Sequence, residues 1–297
     1  MIKLLIGGSP CTYWSIAQES KNRETKAEGL GWELFRNFVI AKEKFQPDFF
    51  LYENNWSASK EIKEQIQEEL DCELMRINSN LVSAQNRDRF YVFNWDVEQP
   101  QDRGISFQHI KDNDYEYCSQ FKVNKTPSRD IMWGDGIKGK CKNVTFEDKT
   151  LCVSTKQDRW NNAGLVEFDG YCRYLTTNEL EQLQTMPKGY LNGIPRGQQE
   201  KCIGNGWTAE VIIHILNGIL KNVPKDEKIV VLSMYDGIGT GRYCLDKMGF
   251  TNIEYHAYEI DKYAIQVAMH NYPDIIQHGD AFQVRNENWT IGGNKNE

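Results

Sequence analysis

A cysteine directly after a proline at the end of a short apolar strand is a candidate nucleophile. In KLLIGGSPC (residues 3–11) that residue is Cys11. A thiol at such a strand end lies near helix N-termini, which favour the reactive thiolate. The other cysteines (72, 118, 141, 152, 172, 202 and 244) lack this setting and read as small buried hydrophobes. Glu53 closes a second apolar run, DFFLYENN, where a carboxyl group can give or take a proton. A solvated strand end would explain it as well. Gln85-Asn86-Arg87-Asp88-Arg89 precedes the run FYVFNW. On a strand, Arg87 and Arg89 point to one face and supply two cations for a nucleotide and a carboxylate. A surface charge pair is the plainer alternative.

A second kind of chemistry sits far downstream. Residues 229–241, IVVLSMYDGIGTG, run from an apolar strand into a glycine-rich turn that opens a helix. Glycines there permit a tight turn and close approach of a ligand to the backbone. Glu259 ends the next strand about twenty residues on, where a carboxylate can accept both ribose hydroxyl protons. Gly279-Asp280 ends the strand after that. Together they point to a nucleoside-type cofactor, and leave NAD and S-adenosylmethionine both open.

The elements that must position these residues are set by hydrophobic periodicity. Residues 3–8 read as a strand, 29–45 as an amphipathic helix stopped by Pro47, and DFFLYENN as a strand. KEIKEQIQEEL reads as a surface helix and FYVFNWDV as a third strand. From 97 to 172 the periodicity fades into short possible strands among Gly, Asn, Asp and Lys. A helix returns at TTNELEQLQTM, with Thr177 or Asn178 as its N-cap, and another at TAEVIIHILNGIL. Strand and helix then alternate to the end, which predicts a parallel sheet with right-handed crossovers. The functional loops of such sheets lie beyond the carboxyl ends of the strands. Cys11, Glu53, Tyr235-Asp236-Gly237, Glu259 and Asp280 all fall at such ends.

Composition narrows the class. No apolar run approaches the ~20 residues of a membrane helix, and the N-terminal residues lack a signal-peptide pattern. A cytoplasmic location is expected. The formal charge of −7 excludes a uniformly basic nucleic-acid coat but not a local groove. Residues 121–149 hold seven Lys/Arg against four Asp/Glu, among them Lys138, Lys140 and Lys142. A solvated loop or a DNA contact would explain that cluster. No C-x-x-C pair or histidine cluster suggests a metal.

The set GGSPC, YENN, SAQNRDR, RYLTTNELEQLQTMP, CIGNGW, YDGIGTG, AYEID and HGDAF resembles the DNA (cytosine-5)-methyltransferases. The resemblance spans nearly the whole chain except 97–172, and the motifs are most similar to the branch with the animal de novo enzymes. It implies an α/β fold: a Rossmann-like S-adenosylmethionine-dependent methyltransferase sheet with a smaller, irregular target-recognition lobe. The usual family order places the glycine loop before Pro-Cys, so the resemblance also implies circular permutation. The expected division is 1–96 and 195–297 for the catalytic domain and 97–194 for the lobe.

The resemblance assigns roles residue by residue. Cys11 adds to carbon 6 of cytosine, Glu53 serves N3, and Arg87 and Arg89 hold the flipped nucleotide and orient Glu53. Ser9, Asn54 and Gln85 fall on the substrate side. Tyr235, Asp236, Gly237 and Gly239 would surround the methionine part of S-adenosylmethionine, and Glu259 the ribose. Ile260 would meet the adenine face and Asp280 its amine, with Pro10, Asn205 and Trp207 also bordering the cofactor. The partner implied is double-stranded DNA, with no metal, no membrane and a monomeric state. Three positions depart from the family pattern: Asn55 for Val, Gly206-Trp207 for Ser-Val, and Tyr235 for Phe. A catalytically weak DNA-binding relative would keep the same fold. A nicotinamide-dependent dehydrogenase would leave Pro-Cys and Gln-x-Arg-x-Arg unexplained. An amine methyltransferase would need an Asp/Asn-Pro-Pro-aromatic loop in place of Ser9-Pro10-Cys11-Thr12.

Overall fold

The apolar runs become strands of one sheet in the computed structural model, which describes residues 1–15, 22–134 and 142–289. Its strands are β1 (Ile2–Gly7), β2 (Phe49–Asn55), β3 (Leu74–Asn78), β4 (Asp88–Phe93), β7 (Ile229–Met234), β8 (Ile253–Tyr258) and β9 (Ile276–Gly279). They lie in the order β3-β4-β2-β1-β7-β8-β9. β1 runs parallel to β2 and β7, and β7, β8 and β9 continue parallel, while β4 is antiparallel to β2. This mostly parallel α/β sheet is of the Rossmann-like kind that the resemblance implies. Every residue of β7 is buried, as befits a strand covered on both faces.

Alternate residues of the strands build one core. Leu5, Phe50, Tyr52, Val230, Leu232, Met234 and Tyr258 meet Phe35 and Phe38 of helix α1 (Gly29–Phe45). Helix α2 (Lys60–Leu70) buries only Ile62, Ile66 and Leu70, with Ser59 capping its start through a bond from the Ile62 amide. Two further helices come after the downstream strands: α8 (Thr240–Lys247) after β7, and α9 (Lys262–Asn271) after β8.

The chain divides into two compact units. The first comprises residues 1–77, 88–98 and 215–297, and the second 78–87 and 99–214. Of the lobe expected over 97–194, residues 99–194 fall in the second unit, which also takes in 78–87 and 195–214. The physical reason is hydrogen bonding inside the second unit. Gln85 pairs with Thr150 in an isolated parallel bridge, and helix α6 (Arg196–Asn205) is tied to Arg87 and Gln184.

The second unit is more regular than its sequence suggests. It holds α3 (Tyr115–Ser119), α4 (Pro127–Trp133), and the hairpin of β5 (Leu165–Phe168) and β6 (Tyr171–Tyr174), which turns on Asp169-Gly170. Both turn residues have positive φ, at 52° and 74°, the conformation an Asp-Gly hairpin turn requires. Helix α5 (Thr177–Leu183) starts from Thr176, not from Thr177 or Asn178. Its capping box pairs Thr176 with Glu179. Arg173 meets Glu179 through two bonds of 2.8 and 2.7 Å, with both side chains sealed from water. Helix α7 (Ala209–Leu220) runs across the boundary between the units. Lys138, Lys140 and Cys141 lie outside the described residues.

Candidate active site

Five strand ends of the first unit carry Cys11, Glu53, Tyr235-Asp236-Gly237, Glu259 and Asp280, while Gln85, Arg87, Asn205 and Trp207 fall in the second unit. At the end of β1, Ser9 is buried while Pro10 is exposed and Cys11 is half-buried at the start of a short 3₁₀ turn (Cys11–Tyr13). Asn54, on neighbouring β2, donates from Nδ2 to the Ser9 carbonyl at 3.0 Å and to the Tyr52 hydroxyl at 3.0 Å. Ser9 Oγ and Tyr52 Oη lie 2.7 Å apart. An amide has two N–H donors, so the carbonyl and the tyrosine hydroxyl take both good bonds. Tyr52 is wedged edge-on against Phe35 and Phe38, and burial raises its hydroxyl well above the ordinary tyrosine range. The loop carrying Cys11 is thereby anchored through the residue two positions before it.

Glu53 and Arg89 occupy the opposite face of the same strand pair. In the antiparallel register Glu53 faces Tyr91 and Asn55 faces Arg89, which makes Glu53 and Arg89 diagonal neighbours. Arg89 Nε stands 3.1 Å from Glu53 Oε1, and each side chain is only 12% exposed. The lower dielectric of a partly buried site raises the Coulomb attraction within such a pair, which orients the carboxylate.

Arg87 directly precedes β4, which begins at Asp88. It belongs to the second unit, where its guanidinium donates to the carbonyls of Val153 (3.0 Å), Gly204 (3.1 Å) and Gly206 (2.8 Å). The last two are the unsatisfied C-terminal carbonyls of α6, which a cation at a helix end satisfies. Gln85 is fully buried. Its amide nitrogen donates to Leu183 O and Gln184 Oε1, and its oxygen accepts from the Val153 amide. Asn205 is the exposed last residue of α6, and Trp207 is half-buried just beyond it.

The glycine loop leaves β7 with Tyr235 at φ 61°, Gly237 at φ 63° and Gly239 at φ 77°. A left-handed tyrosine is strained and needs anchors. Its hydroxyl donates to Leu34 O at 2.7 Å and accepts from Asn37 Nδ2 at 3.1 Å. The Asp236 amide bonds Tyr258 O at 3.0 Å, and its Oδ1 accepts from Ser233 (2.7 Å) and Tyr255 (2.6 Å). Asp236 Oδ2 is buried without a hydrogen-bond partner.

Glu259 ties the loop to the start of α9. Oε2 accepts from the Gly237 amide, and Oε1 from the amides of Ile260 and Asp261, each at 2.8 Å. Asp280 caps the adjoining 3₁₀ turn through the Phe282 amide. These residues suit an adenosyl group. Oε2 of Glu259 retains a lone pair for a ribose hydroxyl. A Cβ on Gly237 would meet no atom within 4 Å, so the backbone is open to a ligand. Ile260 is 72% exposed, an apolar side chain beside the carboxylate.

Ser233, Tyr255 and Tyr52 join the site without having been singled out by sequence. Their signal was available in principle, as polar residues inside otherwise apolar strands. Among the described residues no group of three or more His, Cys, Asp or Glu could hold a metal, and no helix is long and apolar enough to cross a membrane.

The family model of the C-5 cytosine-specific DNA methylases matches residues 1–169 of the chain. The solved structure of the S. pombe Dnmt2 methyltransferase is similar over 59% of this chain and 67% of that one, at 13% identity and a TM-score of 0.45.

Proposed function

The chain belongs to the C-5 cytosine-specific DNA methylase family, and from that premise we propose that it methylates carbon 5 of cytosine in double-stranded DNA through a covalent Cys11 adduct. Enzymes of this family use S-adenosylmethionine, which supplies an electrophilic methyl group to carbon 5 when bound. Carbon 5 of cytosine is a weak nucleophile within the base stack, so the base must first be extruded at a cost of a few kcal/mol.

The Cys11 thiolate adds to carbon 6, and Glu53 gives a proton or hydrogen bond to N3. The electron pair displaced from the ring then gathers at carbon 5. After methylation, loss of the carbon 5 proton to a base restores the double bond and expels the thiolate. Splitting the substitution in this way replaces one hard step with easier ones. Arg89 orients Glu53 through the 3.1 Å pair. Asn54 holds the Cys11 loop by its bond to Ser9. Arg87 and Gln85 act as supports of the second unit, consistent with their burial, and Asn205 and Trp207 remain candidates for contact with the cofactor.

On the cofactor side, Tyr235, Asp236, Gly237 and Gly239 would border the methionine part with Pro10. Glu259 would bind the ribose, Ile260 the adenine face and Asp280 the adenine amine. We also read the chain as circularly permuted. The Pro-Cys strand β1 precedes the glycine-loop strand β7 in sequence, yet the two lie side by side and parallel. Rotating the order in this way leaves each strand end where the chemistry needs it.

The observation that carries this reading is the joint anchoring of Cys11 and Glu53 at the ends of the adjacent strands β1 and β2. Incubation with S-adenosyl-[methyl-³H]methionine and either duplex DNA or transfer RNA tests it. Tritium recovered as 5-methylcytosine in DNA is the expected result. Label in RNA alone would reassign the substrate, and label in neither would favour the regulatory relative.

A further inference from the structure

Asp236 carries the buried polar atom that the reaction scheme leaves unexplained. Its carboxyl group sits beneath the glycine loop, between the two left-handed residues Tyr235 and Gly237. Oδ1 takes two short hydrogen bonds, from Ser233 at 2.7 Å and Tyr255 at 2.6 Å, while Oδ2 has none. Ser233 and Tyr255 reach the same point because strand alternation directs them there. In the parallel register Val231 faces Tyr255 and Ser233 faces Ala257, so the two side chains share one face.

The surroundings are shaped to admit this arrangement. A Cβ on Gly241, in the first turn of α8, would lie 2.6 Å from the Tyr255 hydroxyl and would also strike Ile6. Only glycine leaves the tyrosine its place. Tyr255 and Ser233 are each 1% exposed, so water does not compete for the carboxylate. An ionised carboxylate accepting buried hydroxyl protons makes strong, directional bonds.

We infer that Ser233 and Tyr255 are positioning residues of the cofactor loop, acting through the Asp236 carboxylate to hold Gly237 open toward S-adenosylmethionine. The inference rests on the reading of residues 235–239 as the cofactor loop. Its consequence is a pH dependence of cofactor affinity. Burial lifts the Asp236 carboxyl to about 6, and the Tyr255 and Ser233 bonds hold it down against the nearby negative Glu259. The other group facing this network is Cys244 of α8, beside the Tyr255 ring. Protonation of Asp236 weakens both hydroxyl bonds and loosens the loop.

The test is calorimetric titration of the full chain with S-adenosylmethionine across the range from about pH 5 to pH 8. Wild-type affinity is expected to weaken on acidification through about pH 6. Tyr255→Phe and the smaller change Ser233→Ala should each move that midpoint up by about one pH unit and weaken binding at neutral pH about tenfold. In an Asp236→Ala background, which leaves neither hydroxyl its acceptor, neither substitution should have further effect. An unmoved midpoint in both variants, or equal losses with Ala at 236, would overturn the inference while leaving the cofactor site standing. A wild-type chain that binds no S-adenosylmethionine at any pH would overturn both.

Discussion

Asn54 reaches across from β2 to donate its amide to the Ser9 carbonyl at 3.0 Å, fixing the loop that presents Cys11 two residues later. The same amide holds the Tyr52 hydroxyl, which in turn meets Ser9 Oγ. The Trp14 and Ser15 amides hold the Cys11 carbonyl within the turn, and these buried bonds fix Ser9 just before it. Asn54→Ala leaves the Ser9 carbonyl and the Tyr52 hydroxyl without their donor, an expected cost of about 1–3 kcal/mol. Turnover should fall about tenfold or more, with S-adenosylmethionine affinity unchanged.

Tyr52→Phe is the milder probe of the same network. It keeps the ring between Phe35 and Phe38 and removes only the hydroxyl. We expect turnover to drop about threefold to tenfold and the KM for cofactor to stay constant. Wild-type turnover in this variant would remove Tyr52 from the positioning of Cys11.

Glu53→Gln tests the proton donor. The substitution preserves size while abolishing the charge paired with Arg89. General acid assistance is worth about 10²–10⁴ in rate. The variant should therefore bind DNA and cofactor yet transfer methyl groups at no more than about 1% of the wild-type rate. Arg89→Met should lose less, because it leaves the carboxyl in place but no longer oriented.

Asp236 links function to stability with a definite sign. Its ordinary value of 3.8 rises to about 6 through burial in the folded state. Between those values the folded chain holds the proton and the unfolded chain does not, so this group's contribution to stability improves as pH falls through about 6 and is lost above it. Asp236→Asn removes the buried charge, and its melting temperature near pH 7.5 should rise by about 2–4 °C while the gain shrinks by pH 4. Cofactor affinity should fall in the same variant, a trade of loop placement against stability. A lower melting temperature at pH 7.5 would contradict the assignment.

Ile260 tests the cofactor side independently. An isoleucine 72% exposed beside Glu259 has most of its apolar surface available for a ligand to cover. Ile260→Ala should weaken S-adenosylmethionine binding about tenfold, in line with about 1–2 kcal/mol of lost apolar burial, without changing the fold.

Much of this arrangement is legible in the residues, and the exceptions have physical causes. Helix α1 spans 29–45 as its periodicity predicts, because a broad apolar stripe and the Pro47 stop leave little choice. The strand ends are readable because a parallel sheet buries its strands and exposes the residues just beyond them. β3 escapes a reading by pattern: only Ile77 of its five residues is buried and Arg76 lies in its middle. α6 escapes it because RGQQEKCIGN has no apolar face, and its end is secured by Arg87 and Gln184 from elsewhere. Arg87 and Arg89 look equivalent by spacing. The start of β4 between them separates a helix-end support from the partner of Glu53, and no local pattern marks that start. Ser233 and Tyr255 are visible in sequence only as polar interruptions, since their meaning depends on a register between two strands.

The account stands most directly on a covalent bond between Cys11 and the base. Incubation with S-adenosylmethionine and duplex DNA carrying 5-fluorocytosine traps that bond, because fluorine at carbon 5 cannot leave as a proton does. The account predicts a denaturant-resistant protein–DNA complex with wild-type chain, mapped by mass spectrometry to the peptide containing Cys11 and absent in Cys11→Ser. Methylation of ordinary cytosine by Cys11→Ser at the wild-type rate, or a trapped complex mapped to another residue, would contradict it.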